Sequence, residues 1–154
     1  MTVTWQEFTE AAPELAAAVR ARFEATPHHV VATLRRDGAP RVSGTEVGFH
    51  GPDLVLGSMP DARKARDLQR DGRFAVHANP GDGSMEGGDA KVSGTAVEVT
   101  DPLKVAEFRQ PGTPPGPFHL FRLLLSDVVL TSVEEDTLRV RLWRPGTGVV
   151  EFRR

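Results

Sequence analysis

The sequence predicts a mainly β fold, in which two N-terminal helices precede a closed or nearly closed antiparallel barrel of six to eight strands. Short runs with alternating apolar and polar residues recur between residues 29 and 144. The 15 glycines and 12 prolines of this 154-residue chain fall largely between those runs, and helical patterns are few and short. Because a barrel hides the strand edges that a two-sheet sandwich exposes, we favour the barrel.

The composition fits one globular domain spanning residues 1–154, with 39% hydrophobic and 26% charged residues. The 19 basic and 21 acidic residues give a net charge of −2, so no broad positive field favours nucleic acid or an anionic membrane. The chain has no cysteine, which excludes disulfides and thiolate metal sites. Without an export signal or an apolar run of about 20 residues, we expect a soluble cytoplasmic protein.

Helix signals dominate residues 1–25. Thr4 and Glu7 have the spacing of a capping box, which predicts a helix beginning after Thr4. Pro13 suits the first turn of a second helix, which we expect to end near Ala25. The second helix would turn Leu15, Val19 and Phe23 towards the core.

Three β-rich runs follow, VVATL, PRVSGTEVGF and LVLGS, and they predict a three-strand meander. Asp37 and Gly38 form the turn between the first two runs, and HGPD forms a looser turn before the third. We expect Asp61 to cap a short helix that ends at Arg70, followed by a strand from Arg73 to His77.

The second half of the chain begins with a glycine-rich loop over residues 79–88, and residues 91–99 then form a predicted strand. Asp101 and Pro102 have the order of a cap and a first-turn proline, which predicts a short helix to about Arg109. The segment PGTPPGP that follows is incompatible with regular secondary structure.

The last strands are predicted from residue 118 onwards. Residues 118–133 are apolar enough for one or two buried strands. Leu138, Val140 and Leu142 then alternate with polar residues, so we expect these three side chains to face the core. The same alternation predicts that Trp143 points outwards, where an exposed aromatic ring could contact a ligand or an interface.

One short sequence occurs twice, because residues 41–47 (RVSGTEV) and 91–97 (KVSGTAV) share five identities. The flanking residues do not match. Two barrel strands that each need β-branched residues and a glycine bend explain the likeness better than a duplication.

The segment from Gly57 to His77 carries the strongest functional signal. Arg63 and Lys64 lie in the first turn of the predicted helix, where cations oppose the helix dipole. Free backbone N–H groups and two cations at a helix start form a phosphate site, and Ser58 ends the strand before it. The alternative is a solvated helix face on which Arg63 and Lys64 pair with Asp67.

Other chemistries lack support. The five histidines lack the spacing of metal ligands, so no metal site is predicted, and no G-x-S-x-G nucleophile motif is present. The basic residues alternate with acids and lack aromatic partners, which argues against nucleic-acid binding. No residue is assigned a catalytic role.

From Thr33 to His77 the sequence resembles the pyridoxamine 5′-phosphate oxidase-like superfamily of flavin-binding split barrels. The resemblance rests on TLRRDGAPRVS, on Gly57-Ser58 and on ARKARDLQRDGRFAV, and GDAKVSGTAVEVTDP and LRVRLWRPG extend it. It implies that Arg63 and Lys64 bind the phosphate of FMN and that Ser58 supports the flavin. It also implies a homodimer with the flavin at the subunit interface, where Trp143 and Arg153 approach it. The cofactor-binding set expected on this basis is Ser43, Thr45, Ser58, Met59, Arg63, Lys64, Trp143 and Arg153.

The sequence departs from this family at the substrate site. In pyridoxamine phosphate oxidases, an arginine and a histidine that bind substrate stand where this chain has Val149 and Glu151. An arginine and a lysine, which hold the flavin phosphate and the substrate phosphate, stand where it has Ser43 and Gly48, so one of the usual phosphate contacts is missing. Oxidation of vitamin B6 is therefore not expected.

The resemblance implies an oxidoreductase that passes a hydride to or from a small organic substrate and uses FMN or, alternatively, 8-hydroxy-5-deazaflavin. Two other functions stay open on the sequence. One is a flavin or haem carrier without turnover, and the other is a scaffold that has lost its cofactor.

Overall fold

The computed structural model describes residues 1–109 and 111–154, which fold into four helices and nine strands. The helices are α1 (Trp5–Ala11), α2 (Pro13–Ala25), α3 (Arg63–Arg70) and α4 (Pro102–Phe108). The strands are β1 (His29–Leu34), β2 (Pro40–Thr45), β3 (Val47–His50), β4 (Asp53–Ser58), β5 (Arg73–His77), β6 (Asp89–Glu98), β7 (His119–Glu134), β8 (Thr137–Arg144) and β9 (Gly148–Arg153). The prediction of a mainly β antiparallel split barrel with N-terminal helices is confirmed, with one strand more than the expected maximum.

The strands form one sheet in the order β2-β1-β5-β6-β7-β4-β3, and β8 and β9 extend it from β7. Every pair in this sheet is antiparallel. The expected meander is wrong, because the run PRVSGTEVGF divides at Glu46 into two strands with different partners. β2 pairs with β1, whereas β3 pairs with β4 at the opposite end of the strand order. The barrel is therefore split beside Glu46.

The N-terminal helices close the core of the barrel. The capping box is formed as predicted, since Thr4 Oγ1 accepts the Glu7 N–H and the Glu7 carboxylate accepts the Thr4 N–H, both at 3.1 Å. Trp5 of α1 lies edge-on to Phe49 of β3, with the ring centroids 4.8 Å apart. The buried side chains of α2 are Leu15, Ala16, Val19 and Phe23. Within the described part of the chain, no helix has the length and apolar character needed to cross a membrane.

Trp143 contradicts the predicted orientation of β8. Its side chain is 3% exposed and packs against Phe8 of α1, with the ring centroids 4.8 Å apart. Leu138, Val140 and Leu142 share the other face of the strand and are only partly buried. Alternation shows which residues share a face, but the packing of α1 decides which face is covered.

Candidate functional site

A cavity of about 770 Å³ lies where the barrel splits, between the ends of β2 and β4 and the start of β3. Its lining comes from residues 44–48 and 57–60, from the start of α3, from the end of α4 and from the loop after α4. A cavity of this size falls in the range of small-molecule and cofactor sites. The break in pairing at Glu46 therefore creates the opening that the site uses.

Four of the residues predicted from the sequence meet in this cavity, namely Thr45, Ser58, Met59 and Lys64. Thr45 and Ser58 are each 6% exposed, whereas Met59 is 74% exposed. The Thr45 hydroxyl donates to the Glu46 carbonyl at 3.3 Å, and the Ser58 hydroxyl donates to the Met59 carbonyl at 3.2 Å. Both hydroxyls thus lie at strand ends that border the cavity.

Lys64 brings a positive charge to the cavity. Its Nζ donates to the Gly44 carbonyl at 2.7 Å, which bends the side chain from α3 towards β2. Burial lowers the pKa of the Lys64 ammonium, and the nearby charge of Glu46 partly offsets this effect. Among the described residues, no carboxylate forms an ion pair with Lys64. The ammonium therefore keeps donors available for an anionic ligand.

Asp67 does not neutralise the two cations of the first turn, so the solvated-face alternative is wrong. Its carboxylate is buried and accepts hydrogen bonds from Thr33, Arg41 and Arg70 at 2.8, 2.7 and 2.9 Å. Burial alone raises the pKa of Asp67, but the hydrogen bonds from Arg41, Thr33 and Arg70 outweigh it, so the net pKa is lowered. Asp67 therefore connects α3 to β1 and β2 and forms no ion pair with Arg63 or Lys64.

The start of α3 also differs from the prediction. The N-cap residue is Ala62, with no side-chain cap, and not Asp61. Asp61 has a φ of 61°, and its carboxylate pairs with Arg66 one turn into the helix. The first-turn N–H groups therefore have no capping side chain and can donate to an anion. Arg63 follows the cap, is exposed and has no ion pair within the described ranges.

The other predicted residues lie outside the cavity lining. Ser43 is partly buried on β2, on the same face as Thr45. Trp143 is buried beneath Phe8, as described above. Arg153 lies on β9 and forms ion pairs with Glu134 at 3.2 Å and with Glu151 at 3.4 Å.

The apolar wall of the cavity was not predicted. The Phe108 ring lies 3.5 Å from the position that a Cβ would take at Gly48 and 3.8 Å from that at Gly57. The two glycines thus give the ring a flat backbone surface. Nothing in the local sequence marks Phe108, which ends α4 and reaches the cavity only through the fold.

The loop after α4 completes this wall. Arg109 donates to the carbonyls of Pro114 and Gly116, and its guanidinium lies 5.1 Å from the centre of the Phe118 ring. The PGTPPGP segment was the only sequence signal for this feature. It predicted an irregular segment but not its position beside the cavity.

The arrangement can hold a ligand that combines an anionic group with an apolar group. Lys64 and the start of α3 provide the polar end, and Phe108, Phe118 and Val47 provide apolar surface. Among the residues that the structure describes, no group of three or more His, Asp or Glu side chains could hold a metal ion. The site therefore suits anion binding together with burial of an apolar group.

The family model described as pyridoxamine 5′-phosphate oxidase matches residues 15–131 of this chain. That span contains β1 to β6, α3 and the whole cavity lining. No curated protein matches the sequence.

Solved structures share the fold over most of the chain. PhzG from Burkholderia lata 383, determined with tetrahydrophenazine-1-carboxylic acid, has a TM-score of 0.69 at 15% identity over 97% of this chain and 92% of its own. A pyridoxamine 5′-phosphate oxidase-related, FMN-binding protein from Nostoc punctiforme PCC 73102 has a TM-score of 0.67 at 14% identity over 93% and 95%. A haem-binding protein from Mycobacterium smegmatis has a TM-score of 0.53 at 18% identity over 89% and 87%. At these identities the likeness shows a common fold.

Proposed function

Because the chain belongs to the pyridoxamine 5′-phosphate oxidase family, we propose that it is an oxidoreductase that binds FMN in the cavity beside Glu46. The alternative cofactor is 8-hydroxy-5-deazaflavin. The observation that carries the proposal is the Lys64 ammonium, which lies at the cavity, next to the uncapped start of α3, and forms no ion pair with a carboxylate of the described residues. A phosphate or phosphodiester would supply the missing negative charge.

The residues of the chain would divide the work of holding this group. Lys64, Arg63 and the first-turn N–H groups of α3 would bind its phosphate, and Ser58 would contribute a hydroxyl. Thr45 and Met59, with the backbone of residues 44–47, would border the rest, and Ser43 lies further along β2, outside the lining. When bound, the flavin-type group supplies the hydride transfer itself. Phe108 and Phe118 would exclude water from the apolar end of the cavity.

The proposed substrate is a small organic molecule other than pyridoxamine phosphate. Gly48 stands where the family has a lysine, and the Phe108 ring packs over that glycine. Val149 and Glu151 replace the arginine and histidine that bind substrate in the family. The chain thus lacks the cations that would recognise a phosphorylated substrate, and an apolar surface occupies part of that region.

We also propose a homodimer with the cofactor at the subunit interface. A partly exposed apolar face on β8 and β9 supports it, because Leu142 lies opposite Val150, and Val140 opposite Phe152, in the strand register. Val150 and Phe152 are 39% and 49% exposed. Arg153 would reach a cofactor only from the partner subunit. Trp143 is buried beneath Phe8 and would not contact the cofactor.

A parallel fluorescence titration with FMN and with the deazaflavin tests the cofactor assignment. The Lys64→Ala variant should bind the preferred cofactor about tenfold to a hundredfold more weakly, because one charge-assisted hydrogen bond contributes roughly 1.5–3 kcal/mol. Lys91→Ala is the matched control, since Lys91 is exposed on β6 and outside the cavity lining. It should bind like the wild type.

Two outcomes would contradict the proposal. Equal affinity of Lys64→Ala and the wild type would remove Lys64 from the site. A colourless wild-type protein that ignores both cofactors would favour the scaffold function instead.

A carrier that binds flavin or haem without turnover is the second candidate. The titratable side chains in the described lining are His28, Glu46 and Lys64, and the first two are exposed and lie 3.7 Å apart as a pair. His28 and Glu46 are not buried against an apolar wall as a dedicated acid or base would be, and the partly buried Lys64 is assigned to the anion. The structural likeness to a haem-binding protein also favours this candidate.

Anaerobic reduction separates the two functions. An oxidoreductase would reoxidise its bound, reduced cofactor when a substrate is added, whereas a carrier would not. A haem titration followed by absorbance at the Soret band identifies a haem carrier directly.

A further inference from the structure

His119 lies behind the turn that joins β4 to α3, at residues 59–62. It is the first residue of β7 and lies opposite Ser58 in the strand register. Its Nε2 accepts the backbone N–H of Asp61 at 3.3 Å, and its Nδ1 lies 2.8 Å from the Glu98 carboxylate. One imidazole thus connects the turn with the end of β6.

The hydrogen bonds define the tautomer of this histidine. Because Nε2 accepts a proton from the Asp61 amide, the ring proton of the neutral imidazole lies on Nδ1 and is donated to Glu98. Glu98 also accepts from Gln69 Nε2 at 2.9 and 3.2 Å. Glu98 therefore orients His119 and is itself held by α3.

The turn needs such support. Asp61 has a φ of 61°, in the left-handed region that most residues other than glycine avoid and that aspartate adopts more readily than most. The Asp61 carboxylate pairs with Arg66, and His119 contacts only the backbone N–H of Asp61. The turn leads from Ser58 at the cavity to Lys64 in the first turn of α3. A shift of the turn would therefore change the spacing between the hydroxyl and the ammonium.

We propose that His119 is a positioning residue for the phosphate of the bound cofactor. Oriented by Glu98, it holds the 59–62 turn in the conformation that points Ser58 and Lys64 at one anion. The inference rests on the proposed function, because it takes the anion to be that of a flavin-type cofactor. His119 does not line the cavity and acts only through the turn.

Affinities for FMN and for riboflavin, which lacks the phosphate, test this role. His119→Phe keeps a ring but cannot accept from Asp61, so FMN should bind about threefold to tenfold more weakly while riboflavin binding changes less than twofold. His119→Gln offers a side-chain carbonyl to the Asp61 N–H and should restore FMN affinity to within about twofold of the wild type. His77→Phe, on β5 outside the cavity lining, is the control.

Hydrogen exchange of the Asp61 amide is the second measurement. It should quicken in His119→Phe and return towards the wild-type rate in His119→Gln. If His119→Phe fails to fold, Glu98→Ala replaces it, because losing the carboxylate frees the imidazole and should likewise quicken exchange and weaken FMN binding. Equal FMN affinities, or equal losses for FMN and riboflavin, would overturn the role of His119 alone. A wild-type protein that binds neither FMN nor the deazaflavin would instead overturn the proposed function.

Discussion

At the scale of single residues, Asp67 is the buried charge on which the position of α3 depends. Its carboxylate is 2% exposed and is held by two arginines and a threonine from α3, β2 and β1. A buried carboxylate is stable in the charged form only when hydrogen bonds and opposite charges replace its water. The cluster therefore fixes the helix that presents Lys64.

We expect Asp67→Asn to lower the free energy of unfolding by about 2–3 kcal/mol. The variant leaves Arg41 and Arg70 without their counter-charge, and both are partly solvated, which limits the loss. Urea denaturation at pH 7 measures the effect. Asp71→Asn is the control, because that carboxylate lies on the surface and pairs with Arg73. Equal stability of Asp67→Asn and the wild type would contradict the structural role of the cluster.

The same carboxylate predicts a pH dependence. The pKa of Asp67 is lower in the folded protein than its ordinary value, which is about 3.9 in an unfolded chain. Its contribution to stability is therefore complete above about pH 4 and disappears as the pH falls through the folded-state pKa. The stability difference between the wild type and Asp67→Asn should shrink on acidification, and urea denaturation as a function of pH checks this.

At the scale of elements, the two copies of the V-S-G-T sequence have different physical demands. Gly94 lies at a break in register between β6 and β7, where a Cβ would come 1.8 Å from the Leu124 carbonyl oxygen. Gly44 occupies the matching position on β2, where a Cβ would meet nothing within 4 Å. The glycine is thus required for the bulge in β6, whereas the matching position in β2 has room for a side chain.

This pair gives a direct comparison of two substitutions. Gly94→Ala forces the backbone of β6 and β7 apart and should cost about 3 kcal/mol of unfolding free energy. Gly44→Ala should change stability by less than about 0.5 kcal/mol. Thermal and urea denaturation of the two variants side by side measure the difference. Similar stabilities would show that the bulge at Gly94 is not formed.

Element boundaries set by local chemistry agree with the prediction. The capping box at Thr4 and Glu7 begins α1, and Asp101 begins α4 by accepting the Leu103 N–H at 3.0 Å. These contacts span two or three residues, so the sequence contains both partners. Asp61 looked equally suitable as a cap for α3. Asp61 does not cap the helix because its backbone is left-handed, with a φ of 61°, whereas an N-cap residue has an extended backbone. In this conformation its N–H donates to His119, 58 residues away.

At the scale of the whole molecule, the N-terminal segment packs against strands from the second half of the chain. Phe8 from α1 covers Trp143 from β8, and Val3 pairs with Leu125 of β7 through two backbone hydrogen bonds. This contact makes one face of β8 part of the core. The opposite face, which carries the expected core residues Leu138, Val140 and Leu142, is left partly exposed on the outside of the sheet.

That outer face predicts a dimer that a single charge should disrupt. Val150→Glu places a carboxylate among the apolar side chains of β8 and β9, and its burial in an interface would be strongly unfavourable. Light scattering should give twice the 16.7 kDa chain mass for the wild type and a lower mass for the variant. Val97→Glu is the control, because Val97 is 43% exposed on β6 and Val150 is 39% exposed. A monomeric wild type would contradict the proposed homodimer.

The sequence by itself determined the features whose causes lie within a few residues or in a repeating pattern. These are the starts of the two helices that follow the caps at Thr4 and Asp101, the turn at Asp37 and Gly38, and the mainly β class. The position of two cations in the first turn of a helix is a further such feature. Each depends on local hydrogen bonds, on backbone preferences or on side-chain periodicity, and all of these can be read along the chain.

Only the tertiary structure decided how distant parts meet. It separated β2 from β3 at Glu46, buried Trp143 under Phe8, paired Asp67 with Arg41, and brought Phe108 over Gly48. Each of these contacts joins residues that are far apart in sequence or assigned to different strand partners, and its energy depends on how well the whole core packs. The sequence therefore contained the residues that we propose to bind an anion, whereas the packing of the core formed the cavity beside them.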